Sequence, residues 1–196
     1  MNAKQERKER SRNTILESAG RLLRSRGIVG ARVADVMQGA GLTVGGFYAH
    51  FASKDELVSA ALHRLGAEYR DRLFTRIEEK PESDRTAVIL KRYLSTAHRD
   101  ATDQGCPFPS IVGEIGTTAP EQRDALAQEI AALIERLESL TPHSQGHKPR
   151  TLAIGLVTLM IGGLSLSRAL RGTALSDEVI RACRLFSVAA TRGLDL

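Results

Sequence analysis

Donor-bearing side chains and paired glycines crowd into Val33 to Asp55, VADVMQGAGLTVGGFYAHFASKD, where a core helix would carry leucine and isoleucine. Thr43, Tyr48, His50 and Lys54 supply O–H and N–H donors. Gly45 and Gly46 supply bare backbone, at a cost of about 1 kcal/mol each against alanine in a helix interior. That cost makes sense where the backbone must come close to something. Donors beside bare backbone suit contact with a phosphate or a base edge. A tightly packed core turn has the same composition, so the pattern alone leaves both readings open.

The elements that must position these groups follow from the spacing of apolar residues. Val33, Val36, Met37 and Ala40 recur at helical intervals and make one buried face. Gly41 then supplies a sharp turn, and Thr43 is a good N-cap for a second helix over Val44 to Phe51. Phe47 and Phe51, at i and i+4, turn inward, which leaves Thr43, Gly45, Gly46, Tyr48, Ala49 and His50 for the outside or the ends. This is the design of a helix-turn-helix whose second helix enters the DNA major groove. Charge agrees with it. Of the net +5, residues 1–54 carry +6 and residues 55–196 carry −1, so the whole excess sits on the proposed reading segment.

The run Gly41 to Leu57, GLTVGGFYAHFASKDEL, resembles the DNA-binding signature of the TetR family of bacterial transcriptional repressors. Its anchors Gly41, Thr43, Gly45, Tyr48, His50, Phe51, Lys54 and Leu57 are all in register. Two positions depart from the pattern. Val44 stands where many relatives carry lysine or a polar residue and can touch a thymine methyl, and Ala31-Arg32 stands where serine or threonine opens the preceding helix. The resemblance implies DNA contacts from Arg32, Thr43, Val44, Gly45, Gly46, Tyr48, His50 and Lys54. Tyr48, Lys54 and Thr43 are expected on backbone phosphate, His50 on phosphate and Val44 on a base.

The rest of the chain reads as helices. A basic leader, MNAKQERKERSR, merges into a helix with Ile15, Ala19, Leu22 and Leu23 on its apolar face and Gly27 at its end. Ser53 and Glu56 form a capping box before a long amphipathic helix running to Ile77 and stopped by Pro81. A further helical face, Val88 to Ala97, extends to about Asp100, and ATDQGCPFPS breaks the pattern before a short helix through Ile111 and Ile115. Another helix runs to about Leu140. Arg150 to Arg171 is apolar nearly all round, but its uncharged stretch, Thr151 to Ser167, is read as too short and too rich in glycine, serine and threonine for a membrane span. Gly172 stops it before a last helix that starts near Ser176. The expected fold is all-α, about nine helices. An N-terminal helix-turn-helix head, residues 1–54, is joined by the long helix, as a lever, to a helical domain over residues 55–196.

A helix apolar on several faces must bury more than one of them, so the last two helices are expected to pack against their copy in a homodimer. The resemblance implies the same pairing, a small-molecule effector among the middle and C-terminal helices, and a palindromic operator in double-stranded DNA as partner. Position makes Tyr93, Ala97, Cys106, Phe108, Ile111, Glu114 and Met160 the candidate effector-pocket residues, with core packing as their competing role. Cys106, beside Gly105 and two prolines near a helix start, is either a nucleophile toward electrophiles or an inert, half-buried thiol.

Other classes have little in the sequence to support them. No phosphate loop, nucleophile elbow, metal cluster or paired-carboxylate motif points to an enzyme, and no cofactor or metal is expected. His143 and His147 share a polar loop with Gly146, which argues for solvated side chains rather than a metal pair. The two cysteines make no CxxC and no apolar N-terminal leader is present, so the cytoplasm, with no membrane partner, is the expected location. A helical enzyme or a purely structural helical dimer is the alternative.

Overall fold

The computed structural model describes residues 3–141 and 148–192, and among them there are helices and turns but no strand. Among the described residues nine α-helices run in order: α1 Ala3–Gly30, α2 Val33–Gly39, α3 Lys54–Leu73, α4 Glu82–Tyr93, α5 Thr96–Asp100, α6 Phe108–Thr117, α7 Arg123–Glu138, α8 Pro149–Ala169 and α9 Ala174–Arg192. Two short 3₁₀ helices, Val44–Ala49 and Pro120–Gln122, complete them. The chain forms two compact units. Residues 1–68 with 106–129 make the first, and 69–105 with 130–196 the second.

In the first unit Ile15, Leu16, Ala19 and Leu23 of α1 are buried with Val36 and Met37 of α2, Phe47, Phe51, and Leu57, Val58, Ala61, Leu62 and Leu65 of α3. Leu22, expected on the same face, is only half-buried. Phe47 and Phe51 stack at 5.8 Å, and the Arg12 guanidinium lies 4.5 Å above the Phe51 ring, so the leader helix is fixed to the anchor of the reading segment. The first residue of α3 follows a modified capping box. The Ser53 hydroxyl accepts from the Glu56 N–H at 3.1 Å, as expected, but the Glu56 carboxylate reaches the Ala52 N–H at 2.6 Å, one residue earlier than the standard motif.

The end of α1 is not a simple stop. Gly27 kinks it, at φ +70° and ψ −171°, and helical backbone resumes to Gly30. From α6, Glu114 accepts the N–H groups of Ile28 and Val29 just past the kink, and the Ser110 hydroxyl donates to the Arg24 carbonyl at 2.7 Å. A carboxylate thus satisfies the amides that the kink would otherwise strand.

In the second unit two expected boundaries are corrected. Helix α3 ends at Leu73 rather than at Pro81, and Arg76 turns through φ +55°. The Arg92 guanidinium donates to the Leu73 and Thr75 carbonyls at 2.8 and 2.9 Å, capping that end from α4. The single helical face expected from Asp84 to Asp100 is two helices, because Ser95 caps α5 by accepting the His98 N–H at 3.2 Å. Helices α8 and α9 are clasped by Ser167 and Ser176, whose hydroxyls each donate to the other's carbonyl, at 2.9 and 2.7 Å.

His98 is buried. It stacks on Tyr69 at 5.2 Å and its Nδ1 lies 2.7 Å from the Tyr93 carbonyl, which requires the proton on Nδ1. Burial, then the charges of Arg168 and Arg72, depress its pKa to about 4. Because the folded value lies below the unfolded one, about 6.5, the unfolded chain binds more protons between those values. Stability is therefore complete above about pH 6.5 and falls as pH drops toward 4, by about 3 kcal/mol in order of magnitude. Urea midpoints measured at pH 7 and pH 4.5 should show this loss, and His98→Gln should flatten the slope. An equal slope in wild type and variant would remove His98 as its source.

Candidate nucleic-acid interface

The reading segment is a 3₁₀ helix over Val44–Ala49, which corrects the expected α-helix over Val44 to Phe51. Two adjacent glycines give α-helix little support, and i→i+3 bonds open and close the segment, Gly46 N–H to the Thr43 carbonyl at 3.0 Å and His50 N–H to the Phe47 carbonyl at 2.9 Å. Gly41 makes the preceding turn at φ +69°. Thr43 holds the N-cap position with extended backbone, φ −79° and ψ 147°, but its hydroxyl makes no cap bond. Thr43, Val44, Gly45, Tyr48 and Ala49 are all exposed, while Phe47 is buried beneath them.

Tyr48 is the most prominent group, 76% exposed, its ring held edge-on against Phe47 at 5.2 Å. At Gly45 an added Cβ would have no atom within 4 Å, so the front of the helix is open to whatever approaches. Gly46 is half-buried near Met37 and Thr43. Arg32 is exposed at the N-cap of α2, with no side-chain cap bond.

Beside this face the first turns of α1 and the end of the 3₁₀ helix enclose a cleft of about 770 Å³, lined by Lys4, Arg7, Lys8 and Ser11 together with Ala49 and His50. Burial first, then the charges of Lys8 and Arg12, lowers the pKa of His50, so its imidazole is neutral at pH 7. Its Nδ1 is buried without a hydrogen-bond partner. The positive potential in this cleft is therefore carried by the leader helix, and His50 contributes a polar but uncharged edge. Lys54 lies elsewhere. Its ammonium donates to the Ile28 carbonyl at 2.7 Å, which uses one of three N–H donors and ties α3 to the end of α1.

The seven effector candidates fall into different units. In the first, Cys106, Phe108 and Ile111 are buried and Glu114 serves the kink in α1. In the second, Tyr93 and Met160 are buried and Ala97 is exposed. None of the seven lines the second unit's clefts of about 520 and 340 Å³. Cys106 is fully buried and in no disulfide, which withholds its thiol from electrophiles in this state. Among the described residues no group of three or more His, Cys, Asp or Glu could hold a metal, and His143 and His147 lie outside the described residues.

Sequence reasoning places Arg12 among the leader cations that could reach phosphate and misses its packing over Phe51, the burial of His98, and the joint made by Glu114 and Gly27. A lone carboxylate in the apolar run FPSIVGEIG is the one visible sign of the last.

Comparison with known proteins matches residues 15–61 to a family model described as bacterial regulatory proteins, tetR family, and residues 83–183 to one described as tetracyclin repressor-like, C-terminal domain. The HTH-type transcriptional regulator TtgR of Pseudomonas putida is 36% identical over 89 residues, 45% of this chain and 42% of that protein. The HTH-type transcriptional repressor KstR2 of Mycobacterium tuberculosis is 41% identical over 64 residues, 31% of this chain and 32% of that protein. These matches span less than half the length of either relative. Among solved structures, the reduced form of E. coli NemR superposes with a TM-score of 0.78 at 21% identity, covering 94% of this chain and 96% of that one. A TetR-family regulator from Rhodococcus sp. superposes at 0.76 and 20% identity, covering 95% and 98%.

Proposed function

The chain belongs to the TetR family of bacterial regulatory proteins, and from that premise we propose that it is a homodimeric repressor that holds a palindromic operator and releases it on binding a small-molecule effector. The family and the named relatives are transcriptional regulators, not enzymes. One observation supports the reading most: an exposed, glycine-opened 3₁₀ helix beside a lysine- and arginine-lined cleft, on the segment that carries all the excess positive charge. Repression is the sign suggested by the relative named a repressor.

In this reading residues 1–54 are the DNA-binding domain, and residues 55–196 bind the effector and dimerise through α8 and α9. The protein works in the cytoplasm. Tyr48 and Thr43 bond backbone phosphate, Gly45 and Gly46 permit close approach, and Val44 touches a base. Arg32, His50 and the remaining donors of Lys54 reach phosphates at the edges. Helix α3, which begins at Lys54, is the lever. An effector acts because it prefers the shape that does not fit the operator.

A gel-shift with the DNA upstream of its own gene tests this directly, and affinity should fall steeply as salt rises. Tyr48→Ala should weaken binding about threefold to tenfold, the worth of a single phosphate hydrogen bond, and equally on specific and unrelated DNA. Its thermal midpoint should not move, since the ring is largely exposed. Lys54→Ala should weaken binding too, with a small loss of stability from the freed Ile28 carbonyl. Unchanged affinity in both variants would count decisively against this face.

A further inference from the structure

Two cations at the C-terminal end of α3 take no part in the operator contacts proposed above. Arg72 and Arg92 both line the cleft of about 340 Å³ in the second unit, and no carboxylate lines it with them. Each guanidinium is steadied by backbone carbonyls. Arg72 donates to the Gln104 carbonyl at 2.7 Å, and Arg92 to the Leu73 and Thr75 carbonyls at 2.8 and 2.9 Å. A guanidinium has five N–H donors in a planar fork, so most of them remain for a ligand.

Apart from Gln104, whose carbonyl holds Arg72, the other walls are apolar or aromatic. The Tyr69 ring lies 5.6 Å from the Arg72 guanidinium and stacks on His98, and Ala101 closes one side. His98 itself is held neutral, by burial first and then by the charges of Arg168 and Arg72, so it adds no positive charge to the cleft. With two guanidiniums and no carboxylate among its lining residues, the cleft attracts an anion. Guanidinium pairs bind carboxylates bidentately, and a cleft at the small end of ligand sites admits a single ring or a short chain.

We propose that this cleft binds a small organic carboxylate, its oxygens held between Arg72 and Arg92 and its apolar body laid against Tyr69 and Ala101. This names the effector class and rests on the reading of the chain as an effector-released operator binder. Occupancy ties the end of α3 to α4, and so acts on the helix proposed as the lever.

Titration calorimetry on the full-length protein tests the site without DNA. Benzoate and hexanoate are the probes, with benzamide as the neutral isostere of benzoate and inorganic phosphate as an anion without a body. At least one carboxylate should saturate the protein at millimolar concentration or below, and benzamide and phosphate should bind at least about tenfold more weakly. Arg72→Gln should cost about tenfold or more in carboxylate affinity, the loss of a charge-assisted contact. Ala101→Leu should fill the cleft and abolish binding, and it leaves the arginines in place should Arg72→Gln fail to fold. The proposal is overturned if neither carboxylate saturates, if benzamide or phosphate binds as well as the carboxylates, or if both variants bind like wild type. Gel-shifts with the same protein separate this from its premise. Operator binding without carboxylate binding refutes the site alone, whereas carboxylate binding by a protein that ignores DNA refutes the operator reading alone.

Discussion

Gly27→Ala is expected to destabilise the protein by about 3–5 kcal/mol, although alanine is the better helix former. Two effects add. At φ +70° and ψ −171° the backbone occupies a region open essentially to glycine alone, and any Cβ there is strained. A Cβ would also sit 2.3 Å from Glu114 Oε1 and 2.8 Å from its carboxyl carbon. Glu114 has no free retreat, because leaving Gly27 means abandoning the Ile28 and Val29 N–H groups that it accepts. Each stranded amide costs about 1–3 kcal/mol. Against a typical total of about 5–15 kcal/mol this is a large fraction. The interaction is visible in a double-mutant cycle. With Glu114→Ala in place the clash disappears, so the cost of Gly27→Ala should shrink to the dihedral strain, and the two changes should be strongly non-additive. Thermal and urea midpoints at one fixed protein concentration measure it. A Gly27→Ala protein within about 0.5 kcal/mol of wild type, or a cost indifferent to residue 114, would refute the account.

What the sequence makes legible follows the range of each interaction. The reading head is legible because its determinants are local. Phe47 and Phe51 at i, i+4, Gly41 at the turn and Ser53 before α3 lie close together along the chain, and all sit where their spacing places them. The winding of the reading segment is not, because apolar spacing cannot separate a short stretch of α from 3₁₀ when adjacent glycines sit inside it. The end of α3 is set by a long-range cause. Pro81 is the visible stop, but Arg92, nineteen and seventeen residues from its acceptors Leu73 and Thr75, caps the carbonyls earlier. Glu114, a lone acid in an apolar run, reads as a pocket residue. Its partners are Ile28 and Val29, 86 and 85 residues away, and nothing in either window names the other. Lys54 reads as a phosphate ligand and spends its first bond on Ile28 for the same reason. Cys106, flanked by glycine and prolines that suggest an exposed turn, is buried by tertiary packing.

Leu185→Asp combined with Phe186→Asp is expected to leave a folded monomer whose operator affinity is lower by about a hundredfold or more. The reason begins with the pairing of α8 and α9. An added Cβ on Gly163 would lie 2.7 Å from Cys183 Sγ, so the two helices approach closely, and Ser167 and Ser176 lock their junction from both sides. One side of this pair is thus fully engaged. The other is not: Leu185 is 69% exposed, Phe186 50%, Leu175 51% and, on α8, Leu166 52%. Leu175, Val179, Ala182 and Phe186 recur at the four-three-four spacing of a helix seam, which polar solvent gives no reason to maintain. Burying each large side chain against a second copy is worth about 1.5–3 kcal/mol, and two buried carboxylates in their place would cost more than that. Since Leu185 is mostly exposed and Phe186 half exposed in the lone chain, their loss should spare its fold. In the proposed dimer, operator affinity depends on the second head being held at an effective concentration, and a monomer would forfeit that advantage without losing any contact at its own half-site. Sedimentation gives the mass and a gel-shift gives the affinity. A double variant that stays dimeric would move the interface to another surface, and a monomer with wild-type affinity would remove dimerisation from the mechanism.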